Sequence, residues 1–352
     1  MKGSSNVFIM LILSILLSSC GNDAVNSSAL FEIQFDQNEK AYNQQQSLSI
    51  TIIDKKGKGI DEVAYTLDGK LLTEQDGNGA YTLSLADLKM GKRLLAARIT
   101  TDGNTHDISR DITMVASAPP TLYTYQVLES YPHDMQAYTQ GLEFVGDTLY
   151  ESTGQRTEST LRKTDYKTGE VLNSVKLGDQ FFGEGLTILD DKIYQLTWQK
   201  KTGFIYDLAT MEQTGTFVYG SSLQGWGLCN DGTTLFKSDG TEKIWTLSAA
   251  TLAEQDYIEI YTHQSKIKNV NELEWVDGKI YANIYQRSAL AIVDPSSGAV
   301  EGVIDLKGLQ DQVTQHDELD VLNGVAYKGE PGILYVTGKN WDKLFKIRIV
   351  EN

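Results

Sequence analysis

The sequence predicts an all-β protein in two parts: an immunoglobulin-like β-sandwich over residues 31–117, then a five-bladed β-propeller over residues 122–350. Three observations carry this. From Phe31 onward, apolar and polar residues alternate in short runs, the period of half-buried antiparallel strands. From Leu122 a motif returns roughly every 45 residues, the spacing of a four-stranded propeller blade. The 352 residues include 31 glycines against five prolines, with 41% hydrophobic and 22% charged residues. That is a globular composition of two to three domains, not a disordered or collagenous one.

The chain opens with Lys2 and the apolar run Val7–Leu17, whose 11 residues reach only ~16 Å as a helix. Such a run is too short to span a bilayer and has the form of a secretory signal. It ends in Leu17-Ser18-Ser19-Cys20-Gly21, which resembles the bacterial lipoprotein cleavage box with Cys20 as the acylated residue; the alternative is a plain signal peptide with a coincidental cysteine. Residues 1–19 are therefore expected to be a lipoprotein signal peptide and 20–30 a small polar tether. The mature protein is expected in the bacterial cell envelope, held to a membrane by its lipid without crossing it, and facing the periplasm or the cell surface. Cys229 is then unpaired and reads as a small core residue. A net charge of −16 excludes the basic footprint of a nucleic-acid binder. The four histidines, His106, His133, His263 and His316, lack the short ligand spacings of zinc sites.

In the first module the alternation runs through Phe31, Ile33 and Phe35; Leu48, Ile50 and Ile52; Val63, Tyr65 and Leu67; Tyr81, Leu83 and Leu85; and Ile108, Ile112 and Met114. Asp68-Gly69 and Asp102-Gly103 supply hairpin turns. Ala118-Pro119-Pro120 closes the module. Nothing in it points to catalysis, so it reads as a spacer or protein-contact module.

The repeat is anchored at Gln140-Gly-Leu-Glu-Phe, Glu184-Gly-Leu-Thr-Ile, Trp226-Gly-Leu-Cys-Asn, Asn271-Glu-Leu-Glu-Trp and Asn323-Gly-Val-Ala-Tyr, at spacings of 44, 42, 45 and 52 residues. A second strand follows each anchor, centred on Tyr150, Tyr194, Phe236, Tyr281 or Tyr335, and then a third. The last repeat stops after three strands, and Leu122–Leu128 is left over at the start. Pairing these closes the ring and leaves no open blade edge.

First strands of propeller blades line the central channel, so the anchors converge. They are Gln140, Glu184, Trp226, Asn271 and Asn323: a position serving only the fold would repeat its residue, whereas this one diversifies. Four residues beyond each second-strand aromatic stands a second ring: Gly154, Trp198, Gly240, Tyr285 and Lys339. Tyr138 and Phe182, each two residues before an anchor, add aromatic surface. Together these make an aromatic cup holding one carboxylate, one ammonium and several amides. A carboxylate desolvated by aromatics can exchange a proton near neutral pH. An ammonium and amides can hold a developing oxyanion. The set suits an acyl transfer whose nucleophile belongs to the substrate.

Ala137-Tyr-Thr-Gln-Gly-Leu142, Phe181-Phe-Gly-Glu-Gly-Leu-Thr187, Tyr194-Gln-Leu-Thr-Trp198, Gly225-Trp-Gly-Leu228, Asn271-Glu-Leu-Glu274, Asp320-Val-Leu-Asn-Gly-Val325 and Val336-Thr-Gly-Lys339 resemble the glutaminyl-peptide cyclotransferases of the plant and bacterial type, five-bladed propellers unrelated to the zinc-dependent animal enzymes. The resemblance covers 122–350. It implies conversion of an N-terminal glutamine of peptides or proteins to pyroglutamate with release of ammonia, without zinc. Glu184 is implied as the general acid/base, with Asn271, Lys339 and Gln140 binding the γ-amide and the peptide carbonyl. Tyr138, Phe182, Trp198, Trp226 and Tyr285 are implied as walls, and Asn323 belongs with the substrate-binding set. Tyr285 and Tyr138 replace a tryptophan and a phenylalanine of the plant enzyme, which adds hydroxyls to the pocket. No cofactor is required for this chemistry; the fold can hold a structural calcium in its channel, for which the sequence identifies no ligands.

Two rival functions stay open at this stage. A calcium-dependent propeller hydrolase of the lactonase kind would gather Glu184, Asn271 and Asn323 as oxygen ligands, although Lys339 in the same cup would repel the metal. A non-catalytic surface binding module is the other.

Overall fold

The computed structural model describes residues 27–352, and the expected signal peptide and Cys20 lie outside the described residues. The last four residues assigned to the tether, Ser27–Leu30, instead form one helical turn that buries Leu30 in the core of the first module. That module has seven strands in two antiparallel sheets. One sheet orders its first, second and fifth strands; the other orders its fourth, third, sixth and seventh. Asp68-Gly69 and Asp102-Gly103 both take positive φ and join directly paired strand ends, as two-residue hairpin turns require. Phe31, Ile33, Leu48, Ile50, Val63, Tyr65, Ile99 and Ile112 meet between the sheets in one apolar core.

Five four-stranded blades follow. In the fifth, Leu322–Ala326, Ile333–Gly338 and Lys343–Glu351 pair in order, and Thr121–Pro132 adds antiparallel to the last of them, so the start of the repeat region supplies the outer strand of the final blade. Residues 121–123 also pair in parallel with the outer strand of the fourth blade, which merges two blades into one eight-stranded sheet. Cys229 is a free, buried core residue between blades.

The two modules share a packed boundary. Met90, Val115 and Tyr261 form a small apolar cluster. Met90 N–H donates to Ser297 O at 2.8 Å, and Ala116 N–H to Thr262 O at 3.2 Å. Lys89 pairs with Asp256 at 2.6 Å.

Two local features aim the channel residues. In four blades the register between first and second strands slips by one residue at the anchor: Gly183 faces Thr197, for example, but Leu186 faces Gln195. Such a bulge breaks the strand's alternation and redirects a side chain, here at Gln140, Glu184, Asn271 and Asn323. The glycine after the anchor lets neighbouring inner strands approach. A Cβ on Gly185 would lie 2.6 Å from Leu228 N, and one on Gly227 would lie 2.1 Å from Asn271 O.

Candidate active site

A backbone hydrogen bond recurs in four blades and brings the two rings of residues together. Gly154, Trp198, Tyr285 and Lys339 each donate their N–H to the carbonyl two residues before the anchor of their own blade: Tyr138 O at 2.7 Å, Phe182 O at 3.1 Å, Asn269 O at 2.9 Å and Val321 O at 3.0 Å. The end of each second strand is thereby tied to the start of the first. The result is a cavity of about 230 Å³ lined by Tyr138, Gln140, Phe182, Glu184, Trp198, Trp226, Asn271, Tyr285 and Lys339. Nine of the ten propeller residues singled out in the sequence share it.

The aromatic walls interlock edge to face. Tyr138 and Phe182 cross at 88° with centroids 6.1 Å apart, and Trp226 and Tyr285 at 86° and 5.7 Å. The glycines of the second ring make the room. A Cβ on Gly154 would stand 2.5 Å from the Phe182 ring, and one on Gly240 would stand 2.6 Å from the Trp226 indole.

Glu184 is 4% exposed, and its Oε2 has no hydrogen-bond partner among the described residues. Burial holds its carboxyl well above the usual carboxylate range, with the Lys339 charge opposing. Lys339 is equally buried, and its ammonium lies 4.6 Å from the centre of the Tyr138 ring and 5.2 Å from that of Tyr285. Burial lowers its pKa, opposed by the charges of Glu184 and Asp320. Acid and base are thus pushed toward each other's range, a pattern that marks reactive sites.

The amides are oriented by chemistry that allows one assignment. Asn323 Nδ2 donates to Thr139 O at 2.9 Å, so the same nitrogen, 3.0 Å from Gln140, must face that residue's Oε1. The Gln140 NH₂ is left to donate toward the cavity. Asn271 presents a buried Oδ1 that has no hydrogen-bond partner among the described residues, an acceptor open to a donor from the cavity.

Asn323 is the residue that departs from expectation. It is fully buried and does not line the cavity; it sits behind Gln140 and fixes its orientation. It therefore does not join Glu184 and Asn271 as a ligand, as the calcium-hydrolase reading required. Two contributors escaped the sequence reading. Asp320 accepts a 2.7 Å hydrogen bond from the Tyr138 hydroxyl. Gln224 Oε1 accepts from the indole N–H of both Trp198 and Trp226, each at 2.8 Å. Gln224 stands two residues before its anchor, the position that Tyr138 and Phe182 hold in their blades, and Asp320 stands three before its own.

The buried carboxylates of the channel each accept from a backbone N–H group: Glu272 from Val325 at 3.0 Å, Glu274 from Tyr327 at 2.6 Å and Glu143 from Ile188 at 3.0 Å. Among the described residues no group of three or more His, Cys, Asp or Glu side chains could hold a metal.

The family model described as glutamine cyclotransferase matches residues 97–349. The chain belongs to the glutamine cyclotransferase family. A glutaminyl-peptide cyclotransferase of Arabidopsis thaliana is 37% identical over 227 residues, 64% of this chain and 71% of that protein. The crystal structure of the glutaminyl cyclase of Myxococcus xanthus is similar with a TM-score of 0.62 at 32% identity, covering 66% of this chain and 99% of that one. The family match begins inside the sixth strand of the first module, Gly91–Thr101, and runs through the propeller into its last strand, Lys343–Glu351.

Proposed function

We propose that this chain is a glutaminyl-peptide cyclotransferase that converts the N-terminal glutamine of peptides or proteins to pyroglutamate and releases ammonia. The observation that carries the reading is a buried carboxyl, Glu184, whose Oε2 has no hydrogen-bond partner among the described residues and which shares a small aromatic cavity with a buried ammonium, Lys339.

The substrate's α-amine attacks its own γ-carbonyl carbon, forming the C–N bond of a five-membered lactam as the bond to the γ-amide nitrogen breaks. Glu184 takes a proton from the attacking nitrogen and passes it to the departing nitrogen, which leaves as ammonia; its raised pKa lets one carboxyl act in both directions. Lys339 and the Gln140 NH₂ stabilise the oxygen that becomes negative in between. The free Oδ1 of Asn271 accepts from a substrate N–H and aligns it. Because nucleophile and electrophile belong to one residue, the walls have mainly to hold the near-attack geometry. Intrinsic chemistry needs no metal here.

The test is ammonia release from a glutamine-initiated dipeptide, with and without a chelator. Release that survives chelation supports the reading; no release, or release that requires a metal, refutes it. The apolar run Val7–Leu17 ending at Cys20 supports a further part of the proposal, that the enzyme is a lipid-anchored protein of the bacterial envelope. Incorporation of labelled fatty acid into the wild type but not Cys20→Ser tests it.

A further inference from the structure

The irregular segment before the third blade's first strand, Leu228–Asn230, gathers polar contacts that the proposed chemistry does not use. Gln224 lies in it, next to Leu223, which is 72% exposed, so apolar burial does little to fix this stretch. Polar contacts do. The wholly buried Lys237 ammonium donates to Ser222 Oγ at 2.7 Å and to Gln224 O at 3.1 Å, and pairs with Glu254 at 3.2 Å. Glu254 in turn accepts the Ser222 N–H at 3.0 Å and the Ser222 hydroxyl. Gly225 N–H donates to Trp198 O at 3.2 Å.

An ion pair this deeply buried gains little net stability, because desolvation offsets most of its attraction. Its contacts fall instead on the two residues that place one amide. An indole N–H can only donate, so the atom of Gln224 that meets both indoles is its oxygen. That single acceptor sets the rotation of two facing walls. The first blade has a parallel device: Glu151, at the position equivalent to Lys237, accepts from Thr139 Oγ1 at 2.7 Å and contacts His133 at 3.2 Å, under the segment that carries Tyr138 and Gln140. In the fourth and fifth blades that position is Ala282 or Val336.

We propose that Gln224 is a positioning residue for the cyclisation, one carbonyl oxygen clamping Trp198 and Trp226, and that the buried Lys237–Glu254 pair holds the clamp in place. The inference rests on the cyclotransferase reading for its kinetic consequence, though not for the clamp itself.

The experiment compares the full chain with Gln224→Leu, Gln224→Glu, Lys237→Met and Ser222→Ala, using ¹H–¹⁵N spectra of the five tryptophan side chains and steady-state kinetics on a glutamine-initiated dipeptide. Trp198→Phe and Trp226→Phe assign the two indole signals. Gln224→Leu shifts those two signals and lowers kcat/KM by roughly tenfold or more, chiefly through kcat. Gln224→Glu keeps an acceptor and restores both to near wild type. Lys237→Met, or the milder Ser222→Ala if the former does not fold, moves the same two signals. Unmoved signals in Gln224→Leu, or a Gln224→Glu as impaired as the leucine variant, overturn the clamp. Signals untouched by the folded Lys237 or Ser222 variant overturn the role of the ion pair. Variants whose signals shift as expected, beside a wild type that releases no ammonia, defeat the cyclotransferase reading and leave the clamp standing.

Discussion

Gly154 touches no substrate in the proposed chemistry, yet replacing it by alanine should impair the enzyme severely. The added Cβ would sit 2.5 Å from Cε1 and 2.7 Å from Cζ of Phe182, and 3.1 Å from Cγ of Gln140. Contact at that position becomes ordinary only near 3.4 Å, so the ring edge must retreat by about 1 Å. Its way out is into the cavity of about 230 Å³, since Tyr138 and Trp198 flank it. Gly154 does not have a positive φ, so alanine brings no backbone strain of its own. A displacement of ~1 Å at a positioning wall costs ~10²-fold in rate, while overpacking costs ~1–3 kcal/mol of stability. We therefore expect Gly154→Ala to remain folded at 25 °C, to melt a few degrees lower, and to lose about two orders of magnitude in kcat/KM in a coupled ammonia assay. Shortening the wall should compensate, so Gly154→Ala/Phe182→Leu should regain part of the loss. A folded Gly154→Ala variant with unchanged kcat/KM would refute the packing argument.

Two expectations concern pH. Burial raises the pKa of Glu184 and lowers that of Lys339, so activity should rise as pH climbs through the raised carboxyl value and fall as it climbs through the lowered ammonium value. The kcat/KM profile should be a narrow bell, corrected for the substrate's own amine; an acid limb in the ordinary carboxylate range would contradict it. Glu143 affects stability instead. Burial pushes its pKa up to about 7 against hydrogen bonds from Thr187 and Ile188. The stability it contributes is complete below the ordinary carboxylate range and is lost as pH rises through about 7. Glu143→Gln keeps an acceptor for both donors, so it should melt above the wild type at pH ~8 and level with it at pH ~4; thermal melts at the two values decide this.

The propeller and most of its cavity were legible because the chain repeats. Where the same position recurs, as at Gln140, Glu184 and Asn271, departures from the repeat stand out, and the fold guarantees that they meet. What the sequence did not convey is which partner a side chain meets. Gln224 stands two residues before its anchor, where Tyr138 and Phe182 stand before theirs, and Asp320 three before its own; the repeat aligns these positions without showing that Gln224 bridges two indoles or that Asp320 meets Tyr138. Asn323 occupies a proper anchor, but the glycine after it takes a φ of 113°, whereas Gly141, Gly185 and Gly227 do not have positive φ. Its side chain ends behind Gln140 rather than in the cavity. Gly154 and Gly240 of the second ring leave the space that Phe182 and Trp226 fill.

The most direct trial of the account is ammonia release from a glutamine-initiated dipeptide by Glu184→Gln, measured beside its thermal melt. The account predicts a fall of roughly 10²–10⁴-fold in rate, with a melting temperature at neutral pH no lower than wild type, because a neutral amide replaces a carboxyl that burial already disfavours in its charged form. Turnover at the wild-type rate in that folded variant would contradict it.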